Sequence, residues 1–271
     1  MDTLWELARD TVQKAADHIR RSAVDITVLT EEAKDIKVNL DHETNEIICS
    51  ELTKAGLPIL SEESPIEFEI NQGAGLYWIV DPLDGSYNLL KGYGAYCISV
   101  ALFDGLVPVF GLVYDLQNNK FIASQAGKSG IEIEGQPFTL DNNNGIGKSV
   151  LYTGIPVGLS ALAVGDGQFY VDLSKYKKVR MIGSAATSLS LVAQGMADVY
   201  IEKNIYLWDV AAGMALVNAA GGACFVSWHN EQPHLLDIVA AGSTALAGES
   251  TSSCLWDVEF KKIENTGELS L

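Results

Sequence analysis

The sequence contains no uninterrupted apolar run approaching the ~20 residues that a helix needs to cross a bilayer, which excludes a spanning helix. It has only four histidines and no Cys-x-x-Cys or His-x-x-x-His pair, so zinc is a poor candidate. The four cysteines, Cys49, Cys97, Cys224 and Cys254, are widely separated and sit among apolar or small residues. Free core thiols are therefore expected rather than a disulfide framework. Basic residues are scarce as well: 18 Lys and Arg stand against 35 Asp and Glu, a net charge of −17. Such a field repels polyanions and disfavours nucleic-acid polymers or anionic membranes as partners. An anionic substrate would need local cations. The start, Met1-Asp2-Thr3-Leu4-Trp5-Glu6, lacks the basic-then-apolar order of a signal peptide, and a cytoplasmic protein is expected.

What the chain does have is ordinary globular composition, with 48% hydrophobic and 20% charged residues. Its 271 residues suit one large domain or two that share an interface. Leu4, Leu7, Ala8, Val12, Ala15, Ala16 and Ile19 recur at the spacing of one helix face. After the polar stretch Glu31 to Asp35, the residues Ile47, Ile48 and Leu52 predict a second helix over about 41–55 that Gly56-Leu57-Pro58 ends. Strand-like runs follow at 57–60, 76–80, 95–103, 106–114 and 120–124. The Asp104-Gly105 step predicts a tight hairpin, so part of this sheet is antiparallel. Asp141 to Gly145 is the most loop-like stretch and the expected boundary between units 1–143 and 144–271. Beyond it, short strands near 149–153, 178–182, 198–201 and 236–241 alternate with apolar helices near 185–196 and 209–220. The expected fold is an α+β N-terminal half with a mixed or antiparallel sheet, followed by an α/β C-terminal half. The helix after Asp209 is apolar nearly all round and must be buried on most sides.

Three acidic clusters stand where an apolar strand stops or a buried helix begins: Ser61-Glu62-Glu63-Ser64, Asp81-Pro82-Leu83-Asp84-Gly85-Ser86 and Trp208-Asp209. Taken singly, each has an ordinary explanation: a solvated loop, a turn, and a helix N-cap. Jointly they imply carboxylates at the edge of a core, which repel one another unless protonated or bridged by a cation. Oxygen-only ligands favour Mg²⁺, Mn²⁺ or Ca²⁺, and Mg²⁺ commonly shares its coordination with phosphate oxygens. In Asp81 to Ser86, proline fixes a turn, two aspartates can point into one site, and Gly85 lets backbone N–H groups approach an anion at a helix start. The string has one residue too many for the Asp-x-Asp-Gly-Thr of aspartyl-phosphate phosphatases, and it lacks the acidic pattern of an EF-hand loop.

These strings resemble the inositol monophosphatase family of metal-dependent, lithium-sensitive phosphatases over most of the chain. Ile59 to Ser64 resembles its Gly-Glu-Glu segment, Trp78 to Asn88 its Trp-Ile-x-Asp-Pro-x-Asp-Gly-Thr-x-Asn signature, and Leu207 to Gly222 its Trp-Asp-x-Ala-Ala-Gly…Ala-Gly-Gly signature. The resemblance implies a layered αβαβα sugar-phosphatase-like architecture and two to three Mg²⁺ ions per active site. By position it makes Glu62, Asp81 and the Leu83 carbonyl ligands of one ion, and Asp81, Asp84 and Asp209 ligands of a second, with a third ion leaning on Glu62. Ser86 stands where the family has threonine, and Asp41 matches the aspartate that pairs with that hydroxyl to orient the attacking water. The same carry-over gives Glu62, Ser86 and Asp41 catalytic roles and places phosphate on the amides of Gly85 and Ser86. Gly183, Ser184 and Ala185 resemble the loop that touches the alcohol part of the substrate, and Glu202 the carboxylate that accepts its hydroxyls, with Asp84 and Asp209 facing the same ligand. It also implies a homodimer.

The chain departs from the family at Ser86-Tyr87, at Leu89-Leu90-Lys91-Gly92 and in a compact 154–177. The absence of a Lys shortly after Gly183-Ser184-Ala185-Ala186 favours a small polyol phosphate, such as inositol monophosphate, over a nucleotide. The expected chemistry is in-line attack of water on a phosphate monoester between metal ions about 3.5–4 Å apart. The alternatives are a 3′(2′),5′-bisphosphate nucleotidase, a fructose-1,6-bisphosphatase-like enzyme, or a cation-binding regulatory protein without turnover.

Overall fold

The computed structural model describes residues 1–22, 26–31, 36–64, 75–141, 144–155, 172–229, 232, 234–254 and 258–263. Helix α1 (Asp2–Ser22) buries the stripe Ala8, Val12, Ala15, Ala16 and Ile19. A short antiparallel pair, β1 (Val28–Glu31) and β2 (Ile36–Val38), leads into α2 (Asn39–Leu52), which a 3₁₀ turn over Thr53–Ala55 prolongs. Asp41 is therefore the third residue of that helix rather than its first. Its carboxylate Oδ2 accepts a hydrogen bond from the amide of Val38, the N-cap, at 2.6 Å. This is the reach-back half of a capping box.

The first sheet has seven strands in chain order: β3 (Ile59–Ser61), β4 (Leu76–Asp84), β5 (Cys97–Asp104), β6 (Val107–Asp115), β7 (Lys120–Ala123), β8 (Ile131–Ile133) and β9 (Gln136–Phe138). Only β3 and β4 run parallel; every other pair is antiparallel, and a two-residue turn closes the hairpin β5–β6. Helix α3 (Ser86–Leu90) is a single short turn between β4 and β5. The second sheet holds six strands in the order β11, β10, β12, β14, β13, β15, from β10 (Val150–Thr153), β11 (Lys178–Arg180), β12 (Val199–Tyr206), β13 (Ala223–Trp228), β14 (Leu235–Ala241) and β15 (Lys261–Ile263). It is parallel only where β10 meets β11 and β12. Among the described residues the C-terminal half is thus a mixed sheet with three α-helices, α4 (Ala185–Ala193), α5 (Leu207–Ala220) and α6 (Thr244–Thr251).

Strand alternation sorts the side chains into layers. Trp78, Val80, Ile98, Val100 and Leu102 face α1 and α2, whereas Tyr77, Ile79, Cys97, Ala101 and Phe103 face α4 and α5. In the second sheet, Tyr200, Cys224, Val226, Ile238 and Ala240 pack on α4 and α5 from the other side, and Val199, Ile201, Val239 and Ala241 pack on α6. The order is αβαβα, with α4 and α5 between the sheets. That sandwiching explains why α5 is apolar on all sides: eleven of its residues are buried, from Leu207 to Ala220. The four cysteines are free, with Cys97 and Cys224 buried. No helix among the described residues is long and apolar enough to cross a membrane.

Candidate metal centre and active site

Asp81 and Asp84 are three residues apart, and in a regular strand they would point to opposite faces. They do not, because β4 continues through Pro82 rather than turning there and carries an extra residue: Asp81 pairs with Ser99 and Asp84 with Cys97. The three-residue step on β4 faces a two-residue step on β5, a β-bulge that re-aims a side chain. Both carboxylates consequently face the middle layer. Glu62 directly follows β3, where Leu60 pairs with Ile79 on that same face, and its amide donates to the Val80 carbonyl at 3.1 Å. Asp209 reaches the spot from the middle layer. The N-cap of α5 is Tyr206, so Asp209 lies at the third helical position, as Asp41 does in α2. It accepts a hydrogen bond from the Tyr206 backbone, and the near-parallel rings of Tyr206, Trp208 and His234 brace the helix start, with centroids 4.7–5.8 Å apart.

Glu62, Asp81 and Asp209 each offer a carboxylate oxygen within 4.8 Å of the other two, the arrangement that suits one shared cation. Asp81 is only 1% exposed. Burial raises its carboxyl well above the usual range, and Glu62, Asp84 and Asp209 push it further. Asp209 is raised for the same reasons, burial first and then Glu62 and Asp84. All-oxygen donors crowded against their own charge fit a hard divalent ion, because the ion removes the repulsion that burial amplifies.

Asp84 stands beside this trio and is held differently. Its Oδ2 accepts hydrogen bonds from the Ser184 hydroxyl and from the Ala186 amide, both at 2.7 Å. Burial nevertheless raises it to about 6. Ser184 is the N-cap of α4, and its oxygen also accepts from the Thr187 amide. The loop Gly183-Ser184-Ala185 is thereby tied to the end of β4. Gly85 has φ +89°, and a Cβ there would meet the Ala95 carbonyl oxygen at 2.7 Å, so only glycine fits between β4 and the following turn. Ser86, next in the chain, places Oγ 2.5 Å from Asp41 Oδ1 and 2.9 Å from the Leu83 carbonyl oxygen. A hydroxyl has one proton, and the shorter, charge-assisted bond to Asp41 takes it. That leaves the Ser86 lone pairs able to accept from a water.

Glu202, 8% exposed, lies on β12. Tyr200, two residues earlier on the same strand face, donates its hydroxyl to Glu202 Oε2. The carboxylate also rests so close to the Gly154 backbone that any side chain at 154 would collide with it. Burial raises Glu202 to about 7. Tyr200 and Gly154 are contacts the sequence reading did not single out. The first was legible, since residues i and i+2 of a strand share a face; the second depends on chain crossing. Of the compact stretch 154–177, residues 156–171 lie outside the described residues, as do Glu32 to Asp35 and Asn142-Asn143 of the two polar loops.

The inositol monophosphatase family model matches residues 1–256. This chain belongs to the inositol monophosphatase family. A Nus factor SuhB from Xylella fastidiosa is 34% identical over 200 residues, covering 72% of this chain and 70% of that protein. A fructose-1,6-bisphosphatase/inositol-1-monophosphatase from Thermococcus kodakarensis is 33% identical over 193 residues, covering 69% and 68%. Among solved structures, the extragenic suppressor protein suhB from Bartonella henselae superposes with a TM-score of 0.78 at 26% identity, covering 93% of this chain and 98% of that one. The family's phosphatases act on small phosphorylated substrates, and the acidic trio here is able to hold a metal ion.

Proposed function

We propose that the protein is a magnesium-dependent phosphomonoesterase that hydrolyses a small polyol phosphate, such as inositol monophosphate, by direct attack of water. The observation that carries this reading is the convergence of Glu62, Asp81 and Asp209 beside the hydrogen-bonded pair Ser86–Asp41. Glu62, Asp81, the Leu83 carbonyl, Asp84 and Asp209 would hold two to three Mg²⁺ ions. Magnesium bound there supplies positive charge to the phosphate and acidity to the attacking water. Asp41 holds the Ser86 hydroxyl so that its lone pair fixes one hydrogen of the water, while Glu62 lies beside the reacting centre as the second polar group on that water. The amides of Gly85 and Ser86 face the phosphate oxygens. On the leaving-group side, the Gly183-Ser184-Ala185 loop lines the alcohol, and Glu202 accepts its hydroxyls.

Water attacks the phosphorus as the P–O bond to the alcohol breaks, and the proton that the water gives up is balanced by the one the leaving oxygen takes to depart as an alcohol; no enzyme nucleophile is needed. The −17 net charge accords with a small ligand and not with a nucleic-acid polymer. Unpaired thiols accord with a cytoplasmic setting. We also propose a homodimer, with the exposed Tyr87, Tyr93 and Met181 as apolar surface for it.

The test is phosphate release from a panel of inositol, glycerol, fructose-bis- and nucleoside-bisphosphate esters in Mg²⁺. Fastest release from the inositol and glycerol esters supports the reading; preference for fructose-1,6-bisphosphate or a nucleoside bisphosphate replaces its substrate. The Nus factor relative favours one other reading, a regulatory protein without turnover. Against it, a mere cation binder has no use for the Ser86–Asp41 pair, and Mg²⁺ binding with every ester left intact would decide in its favour.

A further inference from the structure

The two faces of this site come from opposite halves of the chain, and one side chain lies between them. Asn88 Nδ2 donates to the Ala95 carbonyl and to the Ile182 carbonyl, both at 2.8 Å, and stands 3.3 Å from the Gly183 carbonyl oxygen. Residues 88 and 182 are 94 positions apart. Two of these carbonyls belong to residues with positive φ. Ala95 has φ +70°, a left-handed conformation uncommon for a residue with a side chain, and its carbonyl is the atom against which Gly85 is packed. Gly183 has φ +72° and immediately precedes Ser184, whose hydroxyl donates to Asp84.

A carboxamide nitrogen has two hydrogens, and here both are used to join carbonyls of the two halves. On one side the joined backbone buttresses Gly85 and Ser86; on the other it carries the Ser184 hydroxyl and the Ala186 amide onto Asp84. Without Asn88, the carbonyls at 95, 182 and 183 would lose this donor, and the loop would be tied to the end of β4 chiefly through Asp84.

We infer that Asn88 is a positioning residue that sets the spacing between the phosphate side of the site, Asp84 to Ser86, and its alcohol side, Gly183 to Ala185. The inference rests on the phosphomonoesterase reading for its kinetic consequence, but not for its structural one. Asn88→Asp keeps the shape while setting a carboxylate oxygen against carbonyl oxygens; Asn88→Ser removes the donors without adding charge.

The experiment is amide hydrogen exchange of both variants in saturating Mg²⁺, with steady-state kinetics on the best ester of the panel. Exchange at Ala186 and Thr187 is expected to rise about tenfold, confined to 182–187, as the loss of one or two hydrogen bonds implies. KM should rise by about the same factor, with a smaller fall in kcat. Ser184→Ala should add little in an Asn88→Ser background, since both changes loosen one contact. Unchanged exchange at 182–187 would overturn the inference, as would a uniform rise along the chain, which would make Asn88 merely stabilising. If the wild type releases no phosphate from any ester, the functional reading fails while the exchange measurement still judges Asn88. If Asn88→Asp does not fold, Asn88→Ser is read by the same criteria.

Discussion

Replacing Asp84 by asparagine separates holding a cation from holding the fold. In cation-free protein at about pH 7.5, Asp84 is ionised although burial raises its carboxyl from the usual 3.8 to about 6. A rise of about two pH units corresponds to ~3 kcal/mol of native-state destabilisation above pH 6. The hydrogen bonds from Ser184 and Ala186 already act within that balance, and an amide oxygen at 84 still accepts both. The sign follows from proton linkage. The folded state binds its proton more tightly than the unfolded chain, so the Asp84 contribution to stability is fully present below about pH 4 and is lost as pH rises through about 6. In chelator, Asp84→Asn should match the wild type near pH 4 and exceed it by ~3 kcal/mol above pH 7. With an unfolding entropy of about 2.1 cal/mol/K per residue over 271 residues, that gap is about 5 °C in Tm. Mg²⁺ should then raise the Tm of the wild type more than that of the variant, which keeps the Glu62, Asp81 and Asp209 trio but loses one carboxylate beside it, while phosphate release by the variant is abolished. Thermal unfolding followed by circular dichroism from about pH 4 to 8, with chelator or with Mg²⁺, reads all of this. A variant less stable than the wild type in chelator at pH 7.5, or an equal Mg²⁺ response in both proteins, would refute the argument.

Ser86→Ala should lower kcat by about 10²-fold with KM and Tm nearly unchanged, because the water loses one orienting partner while the carboxylates stay in place; steady-state kinetics checks it. Apparent Mg²⁺ affinity should fall as pH drops below about 6, by about tenfold or more per pH unit, because Asp84 and the likewise raised Asp81 and Asp209 must give up protons to bind, which calorimetric titration across that range measures. Glu202→Gln and Tyr200→Phe should both raise KM for inositol monophosphate more than for a simple alkyl phosphate, since only the polyol offers hydroxyls to that carboxylate; equal effects on the two esters would contradict the assignment.

Much of this site was legible because the acidic residues interrupt apolar runs. Trp78-Ile79-Val80 announces a buried strand, and the aspartates that follow it cannot be casual surface residues. The nearly all-apolar α5 likewise announces a helix covered on most sides, and the sheets on both of its faces supply the cover. What could not be read was register. Proline at 82 suggested a turn, yet its missing N–H is tolerated at a bulge, and the bulge rather than a turn brings Asp81 and Asp84 to one face. The sequence does not announce the short strands β8, β9, β13 and β15: Ala223 to Trp228 begins with small residues, and the three-residue strands are too brief to show alternation. Asp41 lies two residues inside its helix start and Asp209 three residues past its N-cap, because a capping-box acid at the third position looks like a cap in sequence. Nothing near Asn88 in sequence reveals its role, since it reaches across to the Ile182 carbonyl, 94 residues away.

Anomalous diffraction from a crystal soaked in Mn²⁺, an oxygen-seeking stand-in for Mg²⁺, would address the cation centre without relying on turnover. The expected result is a strong peak bounded by the carboxylates of Glu62, Asp81 and Asp209, and no such peak in a crystal of Asp81→Asn. Density for those three side chains turned away from one another, with no ion between them at saturating Mn²⁺, would contradict the centre on which the proposed chemistry depends.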